Sequence, residues 1–349
     1  ERGYIYAGDA ECDLHVWARA AEAILVNPSR RLRAKTATLL PIRQVFEAES
    51  QRLKAFIKAI RVYQWVKNAL VFVPALTAQL LYQPQIMRSA TLMFLAFCLA
   101  ASGSYIINDL YDLPNDRRHP RKRRRPFASG ALPLHYGAAG PVLIAAAIVI
   151  ASAISPASAG MVIVYVAITS LYSYVLKKKP LADVFTLALL YTIRIVGGAV
   201  ACGIVLSNWL LAFSGFLFLA LAFIKRAGEL HEVSGGTTTG KGRGYTATDL
   251  IAVQVMGISS SFLSSLVLAL YISGGIPADA YVTPQLLWAI IPAMLFWQCR
   301  LWLATARGYM HDDPIVYAAR DKVSWLCFAT MGVAFFSATS TLPPALGLF

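Results

Sequence analysis

The sequence is poor in charged residues, and the two signs are unevenly represented. Only 14% of its 349 residues are charged, against about a quarter in an ordinary globular protein, whereas 57% are hydrophobic and the mean hydropathy is +0.57. Acidic residues are especially scarce, at 18 against 32 basic ones. This balance excludes an ordinary water-soluble domain as the main body of the chain and predicts a polytopic membrane protein.

Cysteines are also few, and they are far apart, at positions 12, 98, 202, 299 and 327. No two of them have the spacing of zinc ligands or of a compact disulfide framework. The sequence therefore favours neither a structural zinc site nor a disulfide-stapled scaffold.

Long apolar segments dominate the remainder of the chain. A helix rises about 1.5 Å per residue, so about 20 residues cross a hydrocarbon layer of about 30 Å. We predict nine transmembrane helices, near residues 67–83, 88–107, 137–155, 158–176, 181–204, 208–225, 250–274, 285–305 and 323–345. With the N-terminus inside, 30 of the 32 basic residues lie on inside segments, as the positive-inside rule requires. The predicted fold is an all-α polytopic bundle of nine helices, N-in and C-out.

The first 40 residues do not follow this pattern. YIYAGDAECDLHVW and the following AILVNP indicate a soluble strand–loop–helix–strand. GDAECD resembles the last motif of the haloacid-dehalogenase-like phosphatases, which implies that Asp9 and Asp13 help to hold Mg²⁺. The Asp-x-Asp nucleophile motif of that family is absent, so residues 1–40 are expected to be the C-terminal remnant of such a domain, with a chance GDxxxD in a loop as the alternative. Residues 41–66 are predicted to be a linker and an interfacial amphipathic helix, followed by the transmembrane domain at 67–349.

Charge is concentrated directly after the second predicted span, in NDLYDLPNDRRHPRKRRRP at 108–126. Asn108, Asp109, Asp112 and Asp116 recur at helical spacing and fall within an arc of about 100°. Gathered carboxylates repel one another without a cation, and Mg²⁺ prefers oxygen ligands that it shares with phosphates. The spacing predicts a Mg²⁺–diphosphate site, with a solvated acidic helix end as the alternative. Pro114 lies inside the pattern and can break the helix before Asp116.

Other charged residues allow two interpretations each. Arg194 lies inside an apolar segment, where an arginine is costly and either binds an anion or pairs structurally. The lysines at 177–179 either anchor a span or bind an anion. GGTTTGKG at 235–242 matches GxxxxGK but lacks the Ser/Thr after the lysine and the preceding strand, so we interpret it as a flexible loop. The juxtamembrane position of the basic run at 117–125 favours anionic lipid or substrate over nucleic acid.

NDLYDLPND closely resembles the first aspartate-rich motif of the UbiA superfamily of membrane prenyltransferases. That resemblance implies a nine-helix bundle with a cytoplasm-facing cavity and Mg²⁺-dependent activation of a diphosphate. Further blocks resemble the branch that contains decaprenyl-phosphate phosphoribosyltransferases: RVYQWVKNALVF, DRRHPRKRRRPFASG, YSYVLKKKPLADVFTLALLYTIRIVGG, FLFLALAFIKRAGEL and MHDDPIVYAARDK. Together they cover about residues 55–325. The second motif of many members, DxxxD, is missing here, because Leu187 follows Asp183 at the required distance.

The resemblance also implies roles for individual residues. Metal binding on the donor diphosphate is expected from Asn108, Asp109, Asp112 and Asp116, and catalytic roles from Asp109, Asp112 and Arg194. Substrate binding is expected from Asn108, Lys122, Arg125, Tyr172, Lys177, Asp183, Lys225, Arg226 and Glu229. Mg²⁺ is the implied cofactor.

The implied reaction displaces diphosphate from an activated donor onto a lipid acceptor. Phosphoribosyl transfer to polyprenyl phosphate is favoured. The 5-phosphate of its donor would need a second anion site, which Lys177, Arg194 and Lys225 with Arg226 could supply. Prenyl transfer to an aromatic or other acceptor is the first alternative, and a non-enzymatic lipid-binding or transport protein is the second. The expected partners are a polyprenyl lipid and a diphosphate-bearing small molecule, without nucleic acid. The expected location is a bacterial inner membrane, with the site facing the cytoplasm. The sequence gives no oligomeric state.

Overall fold

The computed structural model describes residues 3–46, 52–120, 122–234, 244–276, 281–310 and 313–339. The chain divides into two compact units, Glu1–Phe56 and Ile57–Phe349. The first unit combines strands and helices, whereas the described part of the second is helical.

The first unit is built on a three-stranded parallel sheet. Its strands are β1 (Ile5–Gly8), β2 (Glu22–Val26) and β3 (Ile42–Phe46), and they lie in that order. Two helices connect them, α1 (Leu14–Trp17) and α2 (Arg30–Leu39), and α3 (Arg52–Ala59) begins where the unit ends. Its core contains Trp17, Leu25 and Leu32, which are almost fully buried. The predicted strand–loop–helix–strand is present, and β3 extends the sheet beyond residue 40.

The GDAECD loop joins β1 to α1. The Asp13 carboxylate accepts hydrogen bonds from the backbone amides of Asp9 and Ala10, at 2.9 and 3.0 Å, and from the Tyr6 hydroxyl at 3.2 Å. The hydrogen bond from the Ala10 amide is the main reason that the pKa of Asp13 lies below its ordinary value. Asp13 therefore holds the loop together, and the assignment of this unit to the phosphatase-like family stays a prediction.

The second unit contains eleven further α-helices in its described part. They are α4 (Val73–Thr77), α5 (Pro84–Tyr111), α6 (Leu113–Arg118), α7 (Ala139–Ser152), α8 (Pro156–Tyr174), α9 (Ala182–Cys202), α10 (Asn208–Ser234), α11 (Leu250–Leu270), α12 (Ile290–Ala306), α13 (Pro314–Arg320) and α14 (Lys322–Thr339). A 3₁₀ helix at Val62–Phe72 leads into α4, and a shorter one at Leu176–Lys178 lies between α8 and α9.

Eight helical segments of the described chain are long and apolar enough to cross a membrane. They are Pro84–Tyr111, Leu134–Ser152, Pro156–Tyr174, Ala182–Cys202, Asn208–His231, Ala247–Gly274, Pro284–Ala306 and Lys322–Thr339. These correspond to eight of the nine predicted spans and confirm a helical membrane protein. The ninth predicted span, 67–83, falls on the 3₁₀ helix, which ends at Phe72, and on α4, which ends at Thr77. The count of nine and the N-in, C-out orientation stay predictions.

Close approach of α9 to the 3₁₀ helix brings charged residues of both elements together. Gly198 of α9 packs against the backbone carbonyl of Val71, and a Cβ at this position would overlap that carbonyl. A small residue lets two helices approach closely inside a membrane. Arg194 lies one turn before Gly198, so this contact brings its side chain against the 3₁₀ helix that carries Lys67 and Asn68.

Candidate active site

The predicted aspartate motif lies at the junction of α5 and α6. Asn108 and Asp109 belong to the last turn of α5, Asp112 links the two helices, and Asp116 lies in α6. The helix is interrupted at Asp112, but hydrogen bonds span the junction: the Asp112 amide donates to the Asn108 carbonyl and the Asp116 amide donates to the Asp112 carbonyl, both at 2.9 Å. Pro114 stands in the first turn of α6, where proline is tolerated. The four predicted oxygen donors therefore remain at one end of α5.

Asp109 is held by two arginines from other parts of the chain. Its carboxylate is 2% exposed and lies 2.5 Å from Nη2 of Arg61 and 3.1 Å from Nη1 of Arg125. The same nitrogen of Arg125 is 2.6 Å from Oδ2 of Asp116. Burial lowers the pKa of Arg61, but the Asp109 carboxylate, together with Tyr105 and Tyr63, raises this pKa above its ordinary value. Arg125 thus joins two of the three acids, and Arg61 also stabilises Asp109.

Asp112 pairs with a lysine that follows α8. The Lys177 ammonium lies 2.9 and 3.1 Å from the two carboxylate oxygens of Asp112, and Asn108 Nδ2 donates to one of them at 3.3 Å. Lys177 belongs to the 3₁₀ helix that precedes α9, 65 residues after Asp112. The structure therefore brings Asn108, Asp112 and Lys177 together, as the resemblance implied.

We name these residues the aspartate cluster: Asp109, Asp112, Asp116 and Asn108 with Arg61, Arg125 and Lys177. Its three carboxylates face three basic groups, so the cluster is close to neutral. Such oxygen donors suit a hard divalent cation. Within the described ranges no group of three His, Cys, Asp or Glu residues is placed to hold a metal ion by itself. The donors fit Mg²⁺ on the condition that substrate phosphate oxygens complete the coordination, as they commonly do for this ion.

A second charged group lies around Asp313, at the start of α13. Oδ2 of Asp313 is 2.7 Å from the Lys67 ammonium and 3.4 Å from that of Lys225, and both carboxylate oxygens accept from the Tyr191 hydroxyl at 2.9 Å. Burial alone would raise the pKa of Asp313, but the two ammonium groups and the hydroxyl hold it well below its usual range. Asp313 is therefore a permanent anion that joins α10, α13 and the 3₁₀ helix.

Arg194 is buried on the side of α9 that faces this group. Its Nε donates to Oδ1 of Asn68 at 2.7 Å and its Nη2 to the Tyr165 hydroxyl at 3.0 Å, while Nη1 donates to the Leu190 carbonyl. The guanidinium also lies 4.9 and 5.8 Å from the ring centres of Tyr165 and Tyr191. All of these partners are neutral. Structural pairing, one of the two interpretations of Arg194, is therefore present with neutral groups, whereas no carboxylate among the described residues pairs with it, and its role in anion binding stays a prediction.

The remaining predicted site residues lie in three places. Asp183 and Arg226 are 0% and 1% exposed and form an ion pair, and Arg226 also contacts Glu229. The Tyr245 hydroxyl also donates a hydrogen bond to the Asp183 carboxylate, at 2.8 Å. Tyr172 is half-buried in α8, and Lys122 is exposed just after the aspartate motif. The roles of Asp183, Arg226, Glu229, Tyr172 and Lys122 in substrate binding stay predictions.

Sequence reasoning assigned no role to several residues of these groups, among them the charged or amide residues Arg61, Lys67, Asn68 and Asp313. All four lie in the blocks RVYQWVKNALVF and MHDDPIVYAARDK, whose resemblance to the family is a signal that could have identified them. Lys67 and Asn68 stand at the edge of an apolar run, and Asp313 follows a second acid in the HDDP stretch. The spacing along the chain connects none of them to the aspartate motif.

Known proteins resemble this chain in sequence and in fold. The family model described as the UbiA prenyltransferase family matches residues 71–312. The decaprenyl-phosphate phosphoribosyltransferase of Mycobacterium tuberculosis is 31% identical over 80% of this chain and 94% of its own length. Uncharacterized protein y4nM of Sinorhizobium fredii is 35% identical over 96% of this chain, which spans 66% of that relative. A solved UbiA homolog from Archaeoglobus fulgidus bound to GPP and Mg²⁺ has a TM-score of 0.60 at 15% identity, covering 81% of this chain and 99% of the homolog, and so shares the fold.

Proposed function

This chain belongs to the UbiA prenyltransferase family, and we propose that it is a Mg²⁺-dependent transferase that moves a phosphoribosyl group from phosphoribosyl diphosphate to a polyprenyl phosphate. The observation that carries the proposal is the aspartate cluster, where three carboxylates and three basic side chains meet at the end of a membrane-spanning helix. The choice of donor is supported by the similarity to decaprenyl-phosphate phosphoribosyltransferases from several organisms. We further propose that the chain lies in a bacterial inner membrane with this cluster on the cytoplasmic side.

The proposed chemistry exchanges one bond at the anomeric carbon of ribose. The bond from this carbon to the diphosphate oxygen breaks, the diphosphate leaves with the electron pair, and an oxygen of the polyprenyl phosphate forms the new bond. The acceptor is already anionic, so the reaction needs no strong general base. Bound Mg²⁺ would supply positive charge to the departing diphosphate, held there by Asp109, Asp112 and Asp116 with Asn108.

Basic residues of the aspartate cluster have a second task in this proposal. Arg61, Arg125 and Lys177 are positioned by the carboxylates before any substrate binds, so little reorganisation is needed as negative charge develops on the leaving diphosphate. Arginine suits this task because its planar fork of donors matches phosphate oxygens. We expect Arg61 to contribute as much as the predicted Arg125.

The decisive experiment supplies the purified protein with Mg²⁺ and two kinds of donor. With phosphoribosyl diphosphate and a polyprenyl phosphate, we expect diphosphate release and a phosphoribosylated lipid that mass spectrometry identifies. With geranyl diphosphate and the same acceptor, or with an aromatic acceptor, we expect turnover at least about a hundredfold slower, because a site that binds polar groups of its substrate discriminates strongly against analogues that lack them.

Turnover of the prenyl donors alone would replace this proposal with prenyl transfer. That alternative draws support from the family description and from the GPP bound to the Archaeoglobus fulgidus homolog. Absence of turnover with either donor, in protein that remains folded, would favour a non-enzymatic lipid-binding or transport role.

A further inference from the structure

Two buried cations and one partly exposed cation of the second unit are grouped with a single carboxylate. Lys67, Arg194 and Asp313 are at most 9% exposed, and Lys225 is about a quarter exposed at their side. In the part of the chain that the structure describes, Asp313 is the carboxylate paired with Lys67 and Lys225, and the partners of Arg194 are neutral. The group therefore carries a net charge of about +2 in a region where uncompensated charge is costly.

Elsewhere this fold compensates its buried cations. Arg226 is as buried as Arg194, and its guanidinium contacts both Asp183 and Glu229. Lys177, another residue that the sequence offers for a second anion site, pairs with both oxygens of Asp112. The excess of positive charge around Asp313 is therefore a local property of this group and not a general feature of the bundle.

The ring of Tyr191 lies close to two of these cations, Lys67 and Arg194. The ring centre of Tyr191 is 5.7 Å from the Lys67 ammonium and 5.8 Å from the Arg194 guanidinium. On the neighbouring helix α5, Tyr105 lies 4.6 Å from the guanidinium of Arg61, which belongs to the aspartate cluster. The 3₁₀ helix connects the two groups directly, since Arg61 precedes it and Lys67 lies within it.

We propose that Lys67, Lys225 and Arg194 form a second anion subsite, which binds a phosphate monoester while the aspartate cluster holds the diphosphate. This inference rests on the proposed function, because it assigns the second phosphate of that reaction. A monoester dianion matches the excess of about two positive charges, and two ammonium groups with one guanidinium provide charged donors for its three free oxygens. Two sources offer this chemistry: the 5-phosphate of the donor and the phosphate of the polyprenyl acceptor.

Equilibrium binding without Mg²⁺ tests this subsite separately from turnover. The probes are ribose 5-phosphate for the donor side and farnesyl phosphate for the acceptor side, titrated by calorimetry into the detergent-solubilised protein. We expect the wild type to bind at least one probe, and Lys67→Met to weaken that binding about tenfold or more, since a charge-assisted hydrogen bond is lost. Lys225→Met should also weaken binding of this probe. Because Lys225 is more exposed than Lys67, this variant still tests the subsite if Lys67→Met does not fold.

The matched control is Lys178→Met, which removes an exposed lysine beside the aspartate cluster and should leave the affinity for both probes unchanged. The probe whose binding depends on Lys67 and Lys225 identifies the source of the monoester. The subsite is refuted if the wild type binds neither probe, or if both variants bind as tightly as the wild type. Failure of the proposed function would appear differently, as a persisting binding difference in a protein that does not transfer phosphoribosyl groups.

Discussion

Replacement of Asp112 with asparagine is expected to lower kcat/KM for transfer by about a thousandfold, because the change removes a carboxylate that supports the leaving diphosphate. Asp112 accepts from Lys177 through both oxygens, and asparagine preserves its size while it removes the charge. The measurement is the initial rate of diphosphate release at saturating Mg²⁺. Asp109→Asn should have an effect of similar size, since Asp109 is held between two arginines.

The control for this loss is Asp249→Asn. Asp249 lies at the start of α11, away from the aspartate cluster, and its carboxylate accepts hydrogen bonds from the amide and the hydroxyl of Thr246. Asp249→Asn should retain the wild-type rate within about twofold, because Asp249 belongs to none of the charged groups proposed to touch substrate. A helix cap contributes about 1 kcal/mol to stability and has no part in the reaction. Wild-type activity of both Asp112→Asn and Asp109→Asn would contradict a role for the aspartate cluster in transfer.

Loss of the cation of the Asp183–Arg226 pair is expected to lower the stability of the protein strongly. Arg226→Met leaves the Asp183 carboxylate, which is fully buried, without its cation, and such changes cost about 3–5 kcal/mol. The double variant Asp183→Leu with Arg226→Met should regain most of this loss, since two apolar side chains leave no buried charge. Thermal unfolding in detergent, followed by tryptophan fluorescence, measures both.

Arg300→Met provides the matched comparison. Arg300 also pairs with a carboxylate, Asp321, but that pair is partly exposed to the surroundings of the chain. Its loss should cost about 1 kcal/mol or less, as for other exposed pairs. If Arg226→Met melted at the wild-type temperature yet lost substrate affinity, the pair would act in substrate binding, as the resemblance implied, and not in holding α9 to α10.

Local spacing carried much of the prediction. Apolar length alone identified eight helices that the structure contains, and the i, i+1, i+4 and i+8 positions from Asn108 to Asp116 placed four oxygen donors at one helix end. Both signals depend on distances of a few residues, where helix geometry is fixed. The helix is interrupted at Asp112, between α5 and α6, and Pro114 lies in the first turn of α6, where no amide hydrogen is needed.

Pairing across long sequence separations could not be predicted in this way. Arg61 reaches Asp109 across 48 residues, and Lys67 reaches Asp313 only because α13 packs beside the 3₁₀ helix. The same limit explains the difference at 67–83. The composition of residues 67–83 fits a membrane span, but the structure has a 3₁₀ helix and the short helix α4 there. This segment packs against Gly198 of α9 and contains Pro74.

Calorimetric titration of inorganic diphosphate measures whether the aspartate cluster holds a diphosphate through Mg²⁺. We expect the wild type to bind diphosphate in the presence of Mg²⁺ and to lose at least about a hundredfold in affinity when the metal is removed, because carboxylates repel a bare diphosphate. Asp112→Asn should bind weakly in both conditions. Equal binding with and without Mg²⁺, or Mg²⁺-dependent binding that Asp112→Asn leaves intact, would contradict the account.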